Sequence, residues 1–193
     1  MRHLIIGCLM ALFATQPAIA ETYKGYEMPP FTVVGAGKGY ELRDYAPYIL
    51  AHVRVEGGLQ HAASTGFRAL ASYIFGGNAT GEKIKMTVPV QQVPQDDAYD
   101  VSFMMPARFN LNNLPMPKDD TITFTQTQPE RVAVERFSGY ATASALSRRA
   151  RALQDQLQAD GLTILDGPRF AYYDDPFTLP WRRRNELVFV VSQ

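Results

Sequence analysis

Cysteine is nearly absent from this chain of 193 residues, and the single one, Cys8, lies in the first few residues. Histidine is scarce as well, with three in all, and tryptophan occurs once. There is no excess of charge of either sign, since 19 basic residues face 19 acidic ones. No apolar run reaches the roughly 20 residues that a membrane-spanning helix needs. Each absence excludes something. Beyond Cys8 the chain can form no disulfide, no thiolate metal site and no cysteine nucleophile. A neutral chain has no general field to draw in nucleic acid or anionic lipid. There is also no nucleophile elbow, no histidine pair at metal-binding spacing and no phosphate-binding glycine loop.

The start of the chain has a pattern of its own. Met1-Arg2-His3 is basic, Leu4 to Ala14 is almost wholly apolar, and Ala18-Ile19-Ala20 closes the segment. These are the three parts of a secretory signal peptide, and they predict cleavage between Ala20 and Glu21 with export to the periplasm or beyond. Ile5-Ile6-Gly7-Cys8 imitates a lipoprotein cleavage box, but it would leave almost no apolar core ahead of the cut. Removing Arg2 with the leader takes 19 basic residues to 18, against 19 acidic, so the mature chain stays near neutral.

From Glu21 to Gln193 the length suits one domain with a substantial core. Ile49, Ala51, Val53 and Val55 alternate with Leu50, His52, Arg54 and Glu56, predicting a half-buried strand that ends at Gly57-Gly58. Leu59, Ala63, Phe67, Leu70 and Ile74 then recur at steps of three and four, a helical stripe stopped by Gly76-Gly77. Lys83–Val93 and Tyr99–Met105 are expected as strands around the turn 94–98. Thr121–Thr127 and Arg131–Phe137 are expected as a hairpin. A second helix is predicted over 141–159 with Leu146, Ala150, Leu153 and Leu157 on its stripe, and Phe170–Asp174 and Glu186–Val191 close the series. The expected class is α+β: a twisted, barrel-like, mostly antiparallel sheet of two similar halves, each with one long helix.

Four segments carry a resemblance. Tyr40-Glu41-Leu42-Arg43-Asp44-Tyr45-Ala46-Pro47, Gly66–Gly76, Lys83-Ile84-Lys85-Met86-Thr87-Val88-Pro89-Val90 and Trp181-Arg182-Arg183-Arg184-Asn185-Glu186-Leu187 resemble, in order, stretches of the SOUL haem-binding family. The likeness covers roughly residues 38–192. It implies a pseudo-symmetric α+β fold that holds haem or another tetrapyrrole in an apolar groove beside the first helix and the final strands. The missing catalytic motifs, the balanced charge and the short apolar run add the expectation of no enzyme, no nucleic-acid partner and no membrane span.

Haem is a flat, mostly apolar disc with two propionates and an iron. The resemblance makes Phe67, Leu70, Ala71 and Ile74 of the first helix, and Tyr172, Leu187 and Phe189 of the last strands, candidate walls. Spacing alone reads the same side chains as core. Arg68 is the candidate propionate partner, with Lys85 and Arg182 to Arg184 as further cations. Arg183 or Arg184 reads equally well as a lock against Asp174, Asp175 or Glu186. For the iron, His52 and His61 fall on outward faces, and Met86, Met104 and Met105 suit packing. Some family members carry histidine where Asp44 stands here, and a carboxylate is a poor haem-iron ligand. The expectation is haem held by burial, with a weak protein–iron bond or none. Two other readings stay open: a small hydrophobic or cationic ligand between the two halves, and an interaction module using the exposed aromatics of Tyr172–Trp181.

Overall fold

A computed structural model describes residues 22–192, so the predicted leader lies outside the described residues. A short hairpin, β1 (Thr22–Tyr23) and β2 (Tyr26–Glu27), precedes the main sheet. Then follow β3 (Phe31–Gly37), β4 (Tyr40–Tyr45), β5 (Ile49–Glu56), α1 (Leu59–Ile74), β6 (Val90–Gln95) and β7 (Ala98–Met104). The second half runs β8 (Thr123–Gln126), β9 (Glu130–Phe137), α2 (Ala143–Ala159), β10 (Thr163–Tyr172) and β11 (Asn185–Ser192).

Nine strands form one antiparallel sheet in the order β3-β4-β9-β11-β10-β6-β7-β5-β8. Its symmetry is visible in that order. The units β5-α1-β6-β7 and β9-α2-β10-β11 meet through the β6–β10 pair, and each places its third strand between the other two. Their lead-in strands are exchanged, β4 pairing with β9 and β8 with β5. The two lead-in connections clasp one another, for Thr127 N donates to Tyr48 O (2.9 Å) and Tyr48 N donates to Thr127 Oγ1 (3.0 Å). Among the described residues β3 and β8 are the edge strands, so the twisted sheet is not a closed barrel.

Strand register places both helices on the same face. Leu187, Phe170, Gln92, Val101 and Val53 form one continuous cross-strand row. Val53 and Val101 pack in the core under α1, and Phe170 and Leu187 in the core with Leu146, Leu153 and Leu157 of α2. Gly66 sets the seating of α1, since a Cβ there would lie 2.5 Å from Val101 Cβ.

Three expectations are corrected. Residues 121–137 are not a hairpin: β8 and β9 pair with strands of the opposite ends of the sheet. The strand expected from Lys83 begins only at Val90, and the preceding residues contribute isolated bridges. β10 starts at Thr163 and not near Phe170, because the turn-like Asp166-Gly167-Pro168 is absorbed as a bulge between register shifts.

Candidate functional site

The two helices leave the centre of the helix-bearing face uncovered. Between α1 and the chain entering α2, above β6 and β10, lies an open cleft of about 930 Å³. Drug-sized and cofactor ligands occupy pockets of roughly 300–1,000 Å³. Ala63, Phe67 and Phe75 form the α1 wall, and Met86, Val88 and Val90 form an apolar floor. Tyr172, Tyr140 and Tyr26 add aromatic surface around them.

Few polar groups meet this apolar lining. On the floor, Gln92 is bonded from within the fold: its Nε2 donates to Leu59 O (2.8 Å), and its Oε1 accepts from Tyr172 Oη (3.4 Å). Asn185 Nδ2 donates to Gly139 O (3.2 Å). Lys24 of the β1–β2 turn reaches Asp174 Oδ1 at 2.5 Å, and Tyr23 Oη donates to the same carboxylate at 3.2 Å, which ties the hairpin over one end of the cleft. Arg68 differs from these. Its bonds go to Ser64 O (3.3 Å) and Thr65 Oγ1 (3.4 Å) of its own helix, and among the described residues no carboxylate pairs with it.

The candidate residues divide between cleft and core. Phe67, Arg68 and Tyr172 line the cleft together. Leu70, Ile74, Leu187 and Phe189 are buried in the core beneath the helices and do not line it, and Ala71 lies beside the lining residues, half-buried. The reason is the angle of α1. Its sheet-facing stripe is Leu59, Ala62, Gly66, Leu70 and Tyr73, so Ala63, Phe67 and Phe75 turn to the flank. Phe75, Met86, Val88, Val90 and Tyr140 complete the walls. The Lys83–Val90 segment carries the family resemblance, but Met86 suited packing there and neither Val88, Val90 nor Tyr140 stood out as a wall.

Among the described residues no histidine lines the cleft. His52 Nε2 bonds to Thr125 Oγ1 (2.9 Å) and Thr123 Oγ1 (3.1 Å) on the other face of the sheet, and His61 is exposed on α1. Met104 and Met105 are core, whereas Met86 borders the cleft. Burial, with Tyr99 nearby, pushes the Tyr172 phenol well above its ordinary range. Burial and then Glu186 do the same for Tyr173. Both phenols therefore hold their protons more firmly than a free tyrosine, which weakens them as iron ligands. Asp44 is bound by Arg131 at 2.6 and 2.8 Å.

Behind the cleft floor is a buried ionic cluster in which the expected lock of Arg184 on Glu186 is joined by Arg43 and Tyr173, which the sequence does not single out. Glu186 receives Arg43 Nη1 (3.0 Å), Arg184 Nη2 (2.7 Å) and Tyr173 Oη (2.7 Å). Arg43 lies under the Phe31 ring (4.5 Å) and Arg184 under Tyr173 (4.0 Å). Of the two candidate locks, Arg184 thus binds Glu186. Arg183 fastens its loop through carbonyls, Thr178 O and Pro176 O, both at 2.7 Å.

Residues 26–190 match the family model described as SOUL heme-binding protein. The chain belongs to the SOUL heme-binding protein family. Heme-binding protein 1 of Bos taurus is 32% identical over 127 residues, covering 62% of this chain and 65% of that protein. The matched region thus spans slightly less than two thirds of that relative's length. Heme-binding protein 2 of Homo sapiens is 28% identical over 163 residues, covering 80% of this chain and 78% of that protein. In fold the chain is similar to the EcmrR C-terminal domain, with a TM-score of 0.63 and 13% identity, covering 80% of this chain and 97% of that one.

The four SOUL-like segments have two destinations. Gly66–Gly76 supplies Phe67, Arg68 and Phe75 to the cleft, Lys83–Val90 supplies Met86, Val88 and Val90, and the last segment supplies Arg183 and Asn185. The opening strand and that last segment also meet through Arg43 and Glu186.

Proposed function

We propose that this cleft binds haem or a related tetrapyrrole, held chiefly by burial of the flat apolar ring, in a protein that is a binder and not an enzyme. One observation carries the reading: an open apolar cleft of about 930 Å³ has at its edge a guanidinium, Arg68, with no acidic partner among the described residues. Phe67, Phe75, Val90 and Tyr172 match the ring, and an arginine fork matches a propionate. Membership of a family described by haem binding supports the same ligand. Bound haem would bring an iron that this chain ligates weakly or not at all, since Met86 and protonated tyrosines are the donors at hand.

Parallel titrations with haemin and iron-free protoporphyrin test this. Both are expected to bind with comparable affinity, and the haemin complex to give a Soret spectrum without a strong axial ligand. A sharp six-coordinate, low-spin spectrum that disappears in His61→Ala contradicts the burial mode. Failure of both ligands contradicts the tetrapyrrole reading altogether.

Storage, transfer or scavenging of haem in the periplasm is the role we propose, supported by the leader-like residues 1–20. Protein recovered from a periplasmic fraction should begin at Glu21. A chain recovered only from the cytoplasm and still starting at Met1 contradicts export.

A further inference from the structure

Exposed apolar side chains on this protein are not scattered. Tyr26, Phe67, Phe75 and Tyr140 stand exposed on the cleft walls, and Phe177, Leu179 and Trp181 stand exposed on the loop that closes one end of it. Phe177 is 93% exposed and Trp181 69%. Singly exposed apolar residues need no explanation, but a concentration of large ones marks a contact surface.

The loop presenting them is rigidly built. Asp175 Oδ1 accepts from Phe177 N (2.8 Å) and Thr178 N (2.9 Å), and Asp175 Oδ2 from Thr178 Oγ1 (3.1 Å). Arg183 closes it through Thr178 O and Pro176 O, and Gly139 N donates to Pro180 O (2.8 Å), bringing Tyr140 alongside. Phe177 is thus fixed in solvent by its surroundings and not left there by a slack chain.

Charge on the loop is unbalanced in a particular way. Asp175, although exposed, accepts from the loop's own donors, and Asp174 is bound by Lys24, Tyr23 and the Arg184 backbone N–H (2.6 Å). Arg182 has no acidic partner among the described residues, and Arg183 binds only carbonyls. A projecting tip of Trp, Phe and Leu flanked by unneutralised arginines has the chemistry of a bilayer interface. Tryptophan and tyrosine settle at the headgroup level there, and arginine reaches anionic phosphates while its stem lies along apolar surface. A protein partner would be met by a flatter patch with a polar rim.

We infer that the loop Asp174–Arg183, with Tyr140, docks the protein on the surface of an anionic phospholipid bilayer, turning the open cleft toward the membrane. The near-neutral chain as a whole does not oppose this, because the contact is local. An apolar ligand dissolved in the bilayer would then meet the cleft without crossing water. Docking itself does not rest on the ligand reading, and the test uses ligand-free protein so that the two stand or fall separately.

Trp181 is the only tryptophan in the chain, so its emission reports on the loop alone. With vesicles of phosphatidylcholine containing phosphatidylglycerol, the emission should shift to the blue and the protein should sediment with the lipid. With phosphatidylcholine alone both effects should be several-fold weaker. The double variant Phe177→Ser/Leu179→Ser should lower partition about tenfold or more with an unchanged unfolding midpoint, because both side chains are exposed. The inference is overturned by no shift and no sedimentation with anionic vesicles, or by equal partition of the double variant. It is also overturned by a blue shift that grows with protein concentration in the absence of lipid, which would identify a second copy as the occupant.

Discussion

The two faces of the central sheet carry the same strands to opposite ends. Asn185 of β11 looks into the cleft, while the next residue, Glu186, is buried behind it between Arg43 and Arg184. Gln92 of β6 is on the cleft floor, and Gln91 on the other face bonds Tyr48 Oη at 3.3 Å. One face leaves apolar surface and the charge of Arg68 uncovered. The other hides three charged groups and satisfies each of them, and among the described residues no buried side-chain polar atom lacks a partner. Since strand side chains alternate, one backbone serves both. The contrast separates stability from binding: changes behind the floor should cost folding, and changes in front of it should cost only ligand.

The largest expected effect is on the ionic side. Glu186→Ala leaves the buried Arg184 without a carboxylate and Arg43 with only the half-exposed Glu41 (2.7 Å), which should cost about 3–5 kcal/mol of unfolding free energy in a urea titration. If the loss is under about 1 kcal/mol, the cluster is not the anchor described here. The same site has a pH signature. Burial pushes the Glu186 carboxyl up, but Arg43 and then Arg184 outweigh it and hold the group below its ordinary 4.5. A depressed carboxylate stabilises fully above its unfolded value and loses that contribution as pH falls through the folded one. Wild-type stability should therefore decline as pH drops below about 4.5. Glu186→Gln should show a shallower decline over that window, and parallel slopes would contradict the assignment.

Next in size is the seating of α1. Gly66→Ala drives a methyl into Val101 and should cost about 1–3 kcal/mol, recovered in part by Val101→Ala. No loss of stability would mean that α1 is free to lift, and that the cleft wall is not fixed by this contact.

In front of the floor the effects should invert. Arg68→Ala should leave the unfolding midpoint within about 0.5 kcal/mol and weaken haemin by about 1 kcal/mol, roughly fivefold. Equal weakening of a porphyrin ester without free carboxylates would show that Arg68 does not meet a propionate. Smallest of all is His61→Ala, expected to change neither the affinity nor the Soret band.

How far sequence reaches follows the same division. α1, β5 and the turn between β6 and β7 are written in local period and punctuation, and they stand where those signals put them. β8 and β9 mimic a hairpin around Gln128-Pro129-Glu130, yet each pairs at a different end of the sheet, a choice made by the whole topology and invisible in a short window. The helical period of α1 shows that one face is apolar but not which part of that face meets the sheet. Hence Phe67 and Arg68 lie on the cleft while Leu70 and Ile74, one and two turns on, are core. Arg43 and Glu186 are far apart in sequence, and charged residues of this kind give no sign in advance that they will be buried together.

The most direct test fills the cleft without disturbing the sheet. Ala63 lines the α1 wall and is only half-buried, so Ala63→Trp should occupy the space above Val90 and Tyr172 while the fold is retained. Followed by Soret absorbance, haemin is expected to saturate the wild type and to bind the variant at least about tenfold more weakly, with matching urea midpoints. Haemin binding of equal strength in both proteins would place the ligand elsewhere and contradict the account.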